Sequence, residues 1–363
     1  MLSRRQALAA AATAATAVAG LAGGALAPRP ASASLVSRFL SPNRIPYGAC
    51  VRPIPLQNEL DYRNLLQTYC QQVTPEGALV WSEIRPTPAQ FRFDAADSLL
   101  AFAQANNMTM VGHTLVWYGA LPDWAKAIEG AADAERAMTE HIERVVGRYR
   151  GKIDAWHVVN EPIDEAKGDV PGLRPSMWLA NLGEKYIDMA FRLAHRVDPA
   201  AKLFLTEYDL ESLDGASPKK REVLRRLIHR LLDRGVPLYG VGLQGHIRGQ
   251  YQIDRDGLYD FVAELHGLGL AVRVTELDVI DKELPGPVAV RDAVIATRAN
   301  DFLEPICAAA RPECIATWGI TDRHTWVPIW NKRSDGQPNR PLPFDADCQP
   351  KPLWRVIEYY CNK

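Results

Sequence analysis

Two apolar, β-branched segments, far apart in the chain, each end in acidic side chains. The segment 158–161 ends in Glu161, and the segment 274–278 holds Glu276 and Asp278. Such segments belong in a core, where burying an ionised group is energetically unfavourable, so a carboxylate there is expected to be paired with another group or to serve a function. They therefore predict two carboxylates directed at one cleft. Hydrolysis of a glycosidic bond needs such a pair, because one carboxyl group protonates the leaving oxygen while the other acts as nucleophile or base.

The surroundings of the two glutamates predict different roles for them. Glu276 and Asp278 are two positions apart on a strand and face the same side, so each raises the pKa of the other unless something intervenes. The imidazole of His246 can hydrogen-bond both and keep Glu276 ionised, which suits a nucleophile. Glu161 lies near Trp156 in a more apolar setting and would retain its proton, which suits an acid. In the alternative interpretation, one of the glutamates is only a salt-bridged barrel residue.

Polar and aromatic side chains follow several predicted strands, at points where a strand core would favour valine or isoleucine. Asn160 can hydrogen-bond a sugar 2-hydroxyl group, a contact that strengthens in an oxocarbenium-like transition state. Tryptophan faces can stack on sugar rings, although an isolated tryptophan more often packs in a core. Clustering at the strand ends favours binding. The candidates are His113, Trp117, Asn160, Gln244, His246, Trp318 and Trp326.

An alternation of short apolar strands and longer amphipathic helices positions these side chains. Eight strand–helix units predict a parallel sheet. The chain has the length of a closed (β/α)8 barrel, a TIM barrel, and it lacks the phosphate-binding fingerprint of a doubly wound sheet, so the barrel is favoured. Barrel active sites lie at the carboxyl ends of the strands. No linker or composition shift divides residues 34–363, which predicts one domain. The predicted strands begin near Ile45, Val73, Met108, Ile153, Lys202, Tyr239, Val272 and Cys314, and the predicted helices span 56–69, 95–105, 134–149, 177–197, 219–234, 255–268, 288–310 and 351–360.

Composition narrows the class of partner. The 363 residues are 47% hydrophobic and 23% charged, with a formal net charge of −1. This balance is ordinary for a soluble globular protein, and no basic excess or charge block points to nucleic acid or a membrane surface. The six cysteines have no metal-ligand spacing, so we expect neither a metal nor another cofactor.

The first 33 residues are predicted to be a signal peptide outside the fold. Residues 3–8 form a twin-arginine pattern, an Ala-rich apolar stretch runs from 9 to 27, and Ala31-Ser32-Ala33 offers a cleavage site. The alternative, a membrane anchor, is less favoured because the stretch is weakly apolar. The twin-arginine route predicts bacterial export to the periplasm or the medium, both oxidising, where an even number of cysteines is compatible with disulfides.

From about Pro46 to Ile357 the chain resembles family 10 of the glycoside hydrolases, the endo-β-1,4-xylanases. Asn-Glu-Pro alone occurs more widely, whereas Glu-x-Asp preceded by Gln-x-His is specific. The motifs that carry the resemblance are Gly112-His113-Thr114-Leu115-Val116-Trp117, Trp156-His157-Val158-Val159-Asn160-Glu161, Val241-Gly242-Leu243-Gln244-Gly245-His246, Thr275-Glu276-Leu277-Asp278, Trp318-Gly319-Ile320-Thr321-Asp322 and Pro341-Leu342-Pro343-Phe344-Asp345.

The resemblance implies a retaining hydrolase with Glu161 as acid/base and Glu276 as nucleophile. It further implies that His246 and Asp278 hold Glu276, and that Cys307 and Cys314 form a disulfide common in the family. Our own inference from position pairs Cys50 with Cys348 and Cys70 with Cys361. By the same resemblance, the subsite of the cleaved sugar is lined by His113, Trp117, Asn160 and Gln244 and roofed by Trp318 and Trp326, while Glu76 contacts the next sugar.

The chain also departs from the family pattern. Gly77 and Val80 stand where the family usually has Asn and Lys, and Tyr118-Gly119-Ala120 replaces His-Ser-Gln. Thr206-Glu207-Tyr208-Asp209 replaces Asn-Asp-Tyr-Asn. The missing Asn, Lys and Gln would grip the sugar beyond the cleaved residue on the non-reducing side, so specificity should be relaxed or redirected. The bond-cleaving residues are intact.

The leading hypothesis is therefore a retaining endo-β-1,4-xylanase acting on xylan or a related hemicellulose. We expect the protein to bind a polysaccharide or oligosaccharide substrate. We expect no binding to nucleic acid, no membrane association after removal of the signal peptide, and a monomeric state. Three alternatives remain: a hydrolase of another β-glycan or β-glycoside, a non-catalytic carbohydrate-binding barrel, and a metallohydrolase that uses His113, His246 and the carboxylates. The last is disfavoured because strand 1 lacks a His-x-His pattern.

Overall fold

The structure, a computed structural model of the chain, describes residues 44–164 and 172–363. The predicted signal peptide, 1–33, lies outside the described residues, as do positions 34–43 of the predicted domain. The strands are β1 (Tyr47–Val51), β2 (Gln72–Pro75), β3 (Thr109–Val116), β4 (Ala155–Asn160), β5 (Lys202–Glu207), β6 (Gly240–Leu243), β7 (His246–Arg248), β8 (Ala271–Ile280) and β9 (Ile315–Thr317).

All these strands except β7 close into a parallel barrel, so the predicted (β/α)8 fold is confirmed. Strands β1 to β6 pair in chain order, β6 pairs with β8, β8 with β9, and β9 with β1. Such strands are covered on both faces and need continuous apolar runs, and β4 is indeed buried along its whole length. The short strand β7 pairs with the outer end of β8 and sets His246 opposite Asp278.

The helices between the strands follow the predicted segments with two differences. The segment 56–69 divides into two helices at Glu59, and the segment 177–197 divides at Gly183, whose φ of +61° is a left-handed conformation that favours glycine. Sequence reasoning also missed three four-residue helices. The helices are α1 (Pro53–Asn58), α2 (Leu60–Tyr69), α3 (Trp81–Ile84), α4 (Asp94–Ala105), α5 (Asp123–Lys126), α6 (Ala131–Tyr149), α7 (Met177–Leu182), α8 (Lys185–Val197), α9 (Ser217–Asp233), α10 (Arg255–Gly267), α11 (Val288–Ala309), α12 (Val327–Trp330) and α13 (Pro352–Asn362).

Trp156 on β4 joins the barrel wall to the helix layer. Its fully buried indole packs on Tyr149 of α6, with ring centroids 6.4 Å apart. It also covers Gly112 on β3, where a Cβ atom would lie 2.1 Å from the indole. Successive side chains on a strand face opposite sides, so His157 is directed into the barrel. The close approach of β3 to this ring requires glycine at position 112.

All six cysteines are free thiols in the structure, which does not contain the predicted Cys307–Cys314 disulfide. The Cys314 thiol is buried and hydrogen-bonded to Arg273, whereas Cys307 lies partly exposed on α11. The structure likewise contains neither the pairing of Cys50 with Cys348 nor that of Cys70 with Cys361, since each of these residues is a separate thiol. Among the described residues, no helix is long and apolar enough to cross a membrane.

Candidate active site

The carboxyl ends of the strands surround one cleft of about 590 Å³. All but one of the predicted catalytic and substrate-binding residues line it. The exception, Asp278, is fully buried and hydrogen-bonded to His246, a lining residue. The predicted residues in the lining are Glu76, His113, Trp117, Asn160, Glu161, Gln244, His246, Glu276, Trp318 and Trp326.

Glu276 lies near the middle of β8 and is only 3% exposed. Its Oε2 lies 3.4 Å from Nε2 of His246, and its Oε1 has no hydrogen-bond partner in the described part of the chain. Burial raises the pKa of Glu276 to about 7, the nearby charge of Glu161 adds to the rise, and His246 opposes it. One oxygen of Glu276 therefore faces the imidazole of His246, and the other has no hydrogen-bond partner in the described residues.

His246 lies between two carboxylates. Its Nδ1 is 3.0 Å from Oδ1 of Asp278, and its Nε2 faces Glu276. Burial opposes protonation of the ring, but the two carboxylates outweigh it, so the pKa of His246 lies well above its ordinary value. The second oxygen of Asp278 accepts a hydrogen bond of 2.7 Å from the indole of Trp326. Asp278 thereby fixes both the imidazole and an aromatic wall of the cleft.

Glu161, directly after β4, has a polar environment instead of the predicted apolar one. The indole nitrogen of Trp117 donates to its Oε2 at 2.9 Å, and Nε2 of Gln244 donates to its Oε1 at 3.1 Å. Asn160 donates to the same Oε1 at 3.3 Å. The apolar interpretation was wrong because Trp156 packs outward on the helix layer. Of the two glutamates, Glu276 is thus the one buried with the fewer donors.

Backbone strain is concentrated next to the cleft. Glu161, Asp209 and Ala120 adopt left-handed conformations, with φ of +53°, +50° and +47°. For a residue with a Cβ atom this costs about 1–2 kcal/mol. Such conformations cluster at functional sites, where the surrounding structure enforces them. At Glu161, the backbone nitrogen donates to Thr206 at 2.9 Å and the carbonyl oxygen accepts from Arg174 at 3.0 Å.

Asn160 is held in a single orientation by its neighbours. Its Oδ1 accepts hydrogen bonds from the hydroxyl of Thr206 and, at 3.1 Å, from Nε2 of Gln244. This leaves its Nδ2 group directed at Glu161. The amide therefore presents donor hydrogens to the cleft, as a contact to a sugar hydroxyl would require.

Trp318 and Trp326 pack on the histidines of the site. The Trp318 ring meets His113 edge-on at 5.0 Å, and the Trp326 ring meets His246 at 5.2 Å. Both rings are partly exposed and line the cleft. Their positions combine an apolar face toward the cleft with a fixed support behind it, as stacking on a sugar ring requires.

Glu76, after β2, is neutralised by a residue that sequence reasoning missed. Arg52 donates from Nε to Oε2 at 2.5 Å and from Nη2 to Oε1 at 2.7 Å. This two-point geometry is the strong form of an arginine–carboxylate pair. It orients the carboxylate at the edge of the cleft.

Within the described ranges, one group of three side chains has the spacing of metal ligands. Ligand atoms of His113, His157 and Glu276 lie within 4.8 Å of one another. Burial lowers the pKa of both histidines, that of His113 to about 3, so both rings are neutral. Their Nδ1 atoms share a hydrogen bond of 2.9 Å, which directs these nitrogens at each other. His246, which the metallohydrolase hypothesis requires, is not in the group.

The comparison with known families decides the assignment. The family model "Glycosyl hydrolase family 10" matches residues 36–359. The chain belongs to glycosyl hydrolase family 10. The resemblance found in the sequence motifs is thereby confirmed, and so is the assignment of the chain as a glycoside hydrolase.

Several individual xylanases also match this chain over most of their own length. A β-1,4-xylanase of Dictyoglomus thermophilum is 35% identical over 314 residues, covering 83% of this chain and 85% of that protein. Endo-1,4-β-xylanase B of Paenibacillus barcinonensis is 34% identical over 331 residues, covering 87% and 95%. The crystal structure of xylanase 10B from Thermotoga petrophila in complex with xylobiose superposes with a TM-score of 0.78 at 28% identity, covering 90% and 96%.

Several of the positions at which this family 10 chain departs from the usual pattern line the cleft. Val80 and Gly119 line it, and a Cβ atom on Gly77 would meet nothing within 4 Å. Glu207 lies apart, because it is fully buried and paired at 2.8 Å with the buried Lys220. Gly77, Val80 and Gly119 therefore present no side-chain hydrogen-bond donor, and the space beside Gly77 is open.

Seven further residues of the lining were not among the predicted site residues, although Tyr118, Tyr208 and Asp209 lie in segments that depart from the family pattern. Tyr118 and Tyr208 enclose the guanidinium of Arg174, which lies 4.6 Å and 5.5 Å from their ring centroids and donates to the Tyr208 hydroxyl at 2.7 Å. The signal that could have found them is position, because each ends a strand, closely follows a strand end or lies in the segment between a strand and the next long helix. The seven are Tyr118, Tyr208, Asp209, Arg248, Ile280, Trp330 and Asn331.

Proposed function

We propose that the chain is an endo-β-1,4-xylanase that cleaves xylan or a related hemicellulose with retention of configuration, with Glu276 as nucleophile and Glu161 as acid/base. The observation that carries this proposal is the pair of glutamates on one cleft in different surroundings. Glu276 is buried, faces His246 and has a free oxygen, whereas Glu161 is partly exposed among side-chain donors. Two carboxyl groups at one cleft are the minimum for double displacement, and the positions of Glu161 and Glu276 in the sequence motifs assign the two roles.

In the first step, an oxygen of Glu276 attacks the anomeric carbon while the bond to the leaving oxygen breaks. Glu161 gives its proton to that oxygen, and the sugar becomes an ester of Glu276. The protonated ring of His246, held by Asp278, stabilises the Glu276 carboxylate before attack. Asn160 is oriented to hydrogen-bond the 2-hydroxyl group, where such contacts strengthen in the transition state.

In the second step, the Glu161 carboxylate removes a proton from water, and the oxygen attacks the anomeric carbon. Glu276 leaves as a carboxylate, and Glu161 ends protonated, ready for the next cycle. The donors Trp117 and Gln244 stabilise the ionised form of Glu161 that this step needs. Xylan is the favoured substrate because the matched relatives are named xylanases and one matched structure is a complex with xylobiose.

The main experiment separates a nucleophile from a binding residue. Glu276→Ala should abolish turnover of an aryl β-xyloside. Added azide should restore turnover and give an α-xylosyl azide, the product of inverted configuration. Glu161→Ala should largely keep kcat/KM on substrates with activated leaving groups, which need no protonation of the leaving oxygen, and should lose activity on xylan. Its kcat should still fall on the activated substrates, because the second step needs Glu161 as base. Loss of neither activity would contradict the assignment of both roles.

A substrate panel tests the specificity. Initial rates on linear xylan, glucuronoxylan, arabinoxylan, mixed-linkage β-glucan and aryl β-cellobioside, with products identified, would show which backbone is cleaved and whether cleavage is internal. Greater activity on a glucan than on any xylan would replace xylan as the substrate. Activity that survives EDTA would exclude the metallohydrolase. Binding of a xylooligosaccharide without any product would support the carbohydrate-binding alternative, against which family membership argues.

We further propose export by the twin-arginine route, after which the mature protein acts as a monomer in the periplasm or the medium. The sequence pattern of residues 3–33 supports export. That oxidising setting is compatible with disulfides among the six cysteines, which are separate thiols in the structure. Alkylation of the exported protein with and without reduction, followed by mass spectrometry, would count the disulfides.

A further inference from the structure

Trp330, at the end of α12, is an exposed aromatic side chain that lines the cleft. It is 77% exposed, the largest exposed fraction among the large hydrophobic side chains that the structure describes. A large apolar side chain at the mouth of a polar cleft leaves its surface in water, which is unfavourable unless something covers it. Because the ring borders the cleft, its cover is a part of whatever occupies that cleft.

The segment that carries Trp330 is anchored to the rest of the fold on both sides of the ring. Val327 in the same helix is fully buried, and the carbonyl oxygen of Asn331 accepts a hydrogen bond of 3.1 Å from Asn339. Asn339 also donates to the buried carboxylate of Asp281 at 2.8 Å. The exposed ring therefore projects from a fixed support. Such preorganisation reduces the entropy lost when a ligand binds.

Barrel topology sets the side of the cleft on which Trp330 lies. Strands β9, β1 and β2 are neighbours, so the loop with Trp330 lies next to those with Glu76 and Val80. Glu161 follows β4, on the other side of the barrel mouth. The acid must lie beside the leaving group, so the leaving part of the substrate lies on the side of Glu161. The non-reducing part, which becomes bonded to Glu276, then extends the opposite way, toward Trp330.

The wall on that side has few hydrogen-bonding side chains to offer a sugar. Val80 and Ile280 are apolar, and the Glu76 carboxylate is already held by Arg52. Stacking therefore supplies most of the recognition there, because the apolar face of a pyranose can lie on an indole ring, and Asn331 is the polar lining residue beside that ring. Stacking also tolerates substituents on the sugar hydroxyl groups.

We propose that Trp330 forms an outer sugar-binding subsite that takes a pyranose residue of the polysaccharide chain beyond the cleaved residue, on its non-reducing side. This inference rests on the proposed glycosidase function. It makes the enzyme one that reads several successive sugars of a chain, with the outer residue held by stacking.

The test compares two substrates in four proteins: the wild type, Trp330→Ala, Trp330→Phe and Ile329→Ala. A 4-nitrophenyl β-xyloside fills only the inner subsites, whereas xylohexaose reaches the outer one. Ile329 is the matched control, because it is 67% exposed on the same helix but does not line the cleft. Trp330→Ala should lower kcat/KM for xylohexaose about tenfold, mainly through KM, with the xyloside unchanged. Trp330→Phe should restore most of the loss, and Ile329→Ala should match the wild type.

An unchanged kcat/KM of Trp330→Ala on xylohexaose would overturn the subsite. An equal loss on both substrates would also overturn it, because that pattern indicates a disturbed catalytic centre. A wild-type enzyme inactive on both substrates would instead refute the proposed function and this inference together. The two failures are therefore distinguishable.

Discussion

Replacing His246 by glutamine tests the electrostatic design of the site. In the structure, His246 is the group that opposes the rise in the pKa of Glu276, whereas burial, Glu161 and Asp278 all raise it. His246→Gln keeps a side chain that can hydrogen-bond but removes the positive charge. The pKa of Glu276 should therefore rise further above its present value of about 7.

The size of the effect follows from the contact distance. Nε2 of His246 and Oε2 of Glu276 lie 3.4 Å apart. With an effective dielectric constant of about 20, unit charges at that distance attract by about 5 kcal/mol, an upper value equivalent to about three to four pKa units. Relaxation and entering water reduce it, so we expect a rise of at least about one pKa unit.

The assay is the pH profile of kcat/KM for an aryl β-xyloside. The proposed nucleophile must be ionised, so activity is present above its pKa and lost as the pH falls through it. Raising that pKa moves the acidic limb to higher pH, and activity at pH 6 should fall at least about tenfold. A lower kcat with an unmoved acidic limb would refute the electrostatic role and leave His246 a packing residue. His324→Gln is the control, since that imidazole pairs with Glu59 at 2.9 Å and does not line the cleft.

Two further predictions concern stability, measured by urea unfolding. Lys220→Met should lower the free energy of unfolding by about 3–5 kcal/mol, because it leaves the carboxylate of Glu207 buried without its charge partner. Lys126→Met, the control, breaks an exposed pair and should lower it by less than about 1 kcal/mol. Equal effects of the two substitutions would contradict the reasoning. Gly112→Ala should cost about 3 kcal/mol or more because the new Cβ atom would lie 2.1 Å from a buried indole. Gly77→Ala, with nothing within 4 Å, is its control, and a stable Gly112→Ala protein would show that β3 can move away from the ring.

The sequence alone was sufficient for the barrel and for most of the cleft. Apolar runs alternate with amphipathic helices, and this local pattern predicts parallel strands whose carboxyl ends share one face. Any polar residue just after a run is then placed at that face, which is how Glu161, Glu276 and the residues around them were found. Their convergence needed no knowledge of side-chain packing, because the closed sheet brings strand ends together.

Only the tertiary structure decided how the groups are paired. The bond from Arg52 to Glu76, the donors around Glu161 and the outward packing of Trp156 join residues from different parts of the chain. Sequence pattern reports which face of an element is apolar, but it does not report which side chain of a distant element fills the space opposite. For that reason the setting of Glu161 was predicted wrongly and Trp330 was missed. Periodicity along one segment carries information about burial, whereas pairing depends on distances between segments that only the folded chain defines.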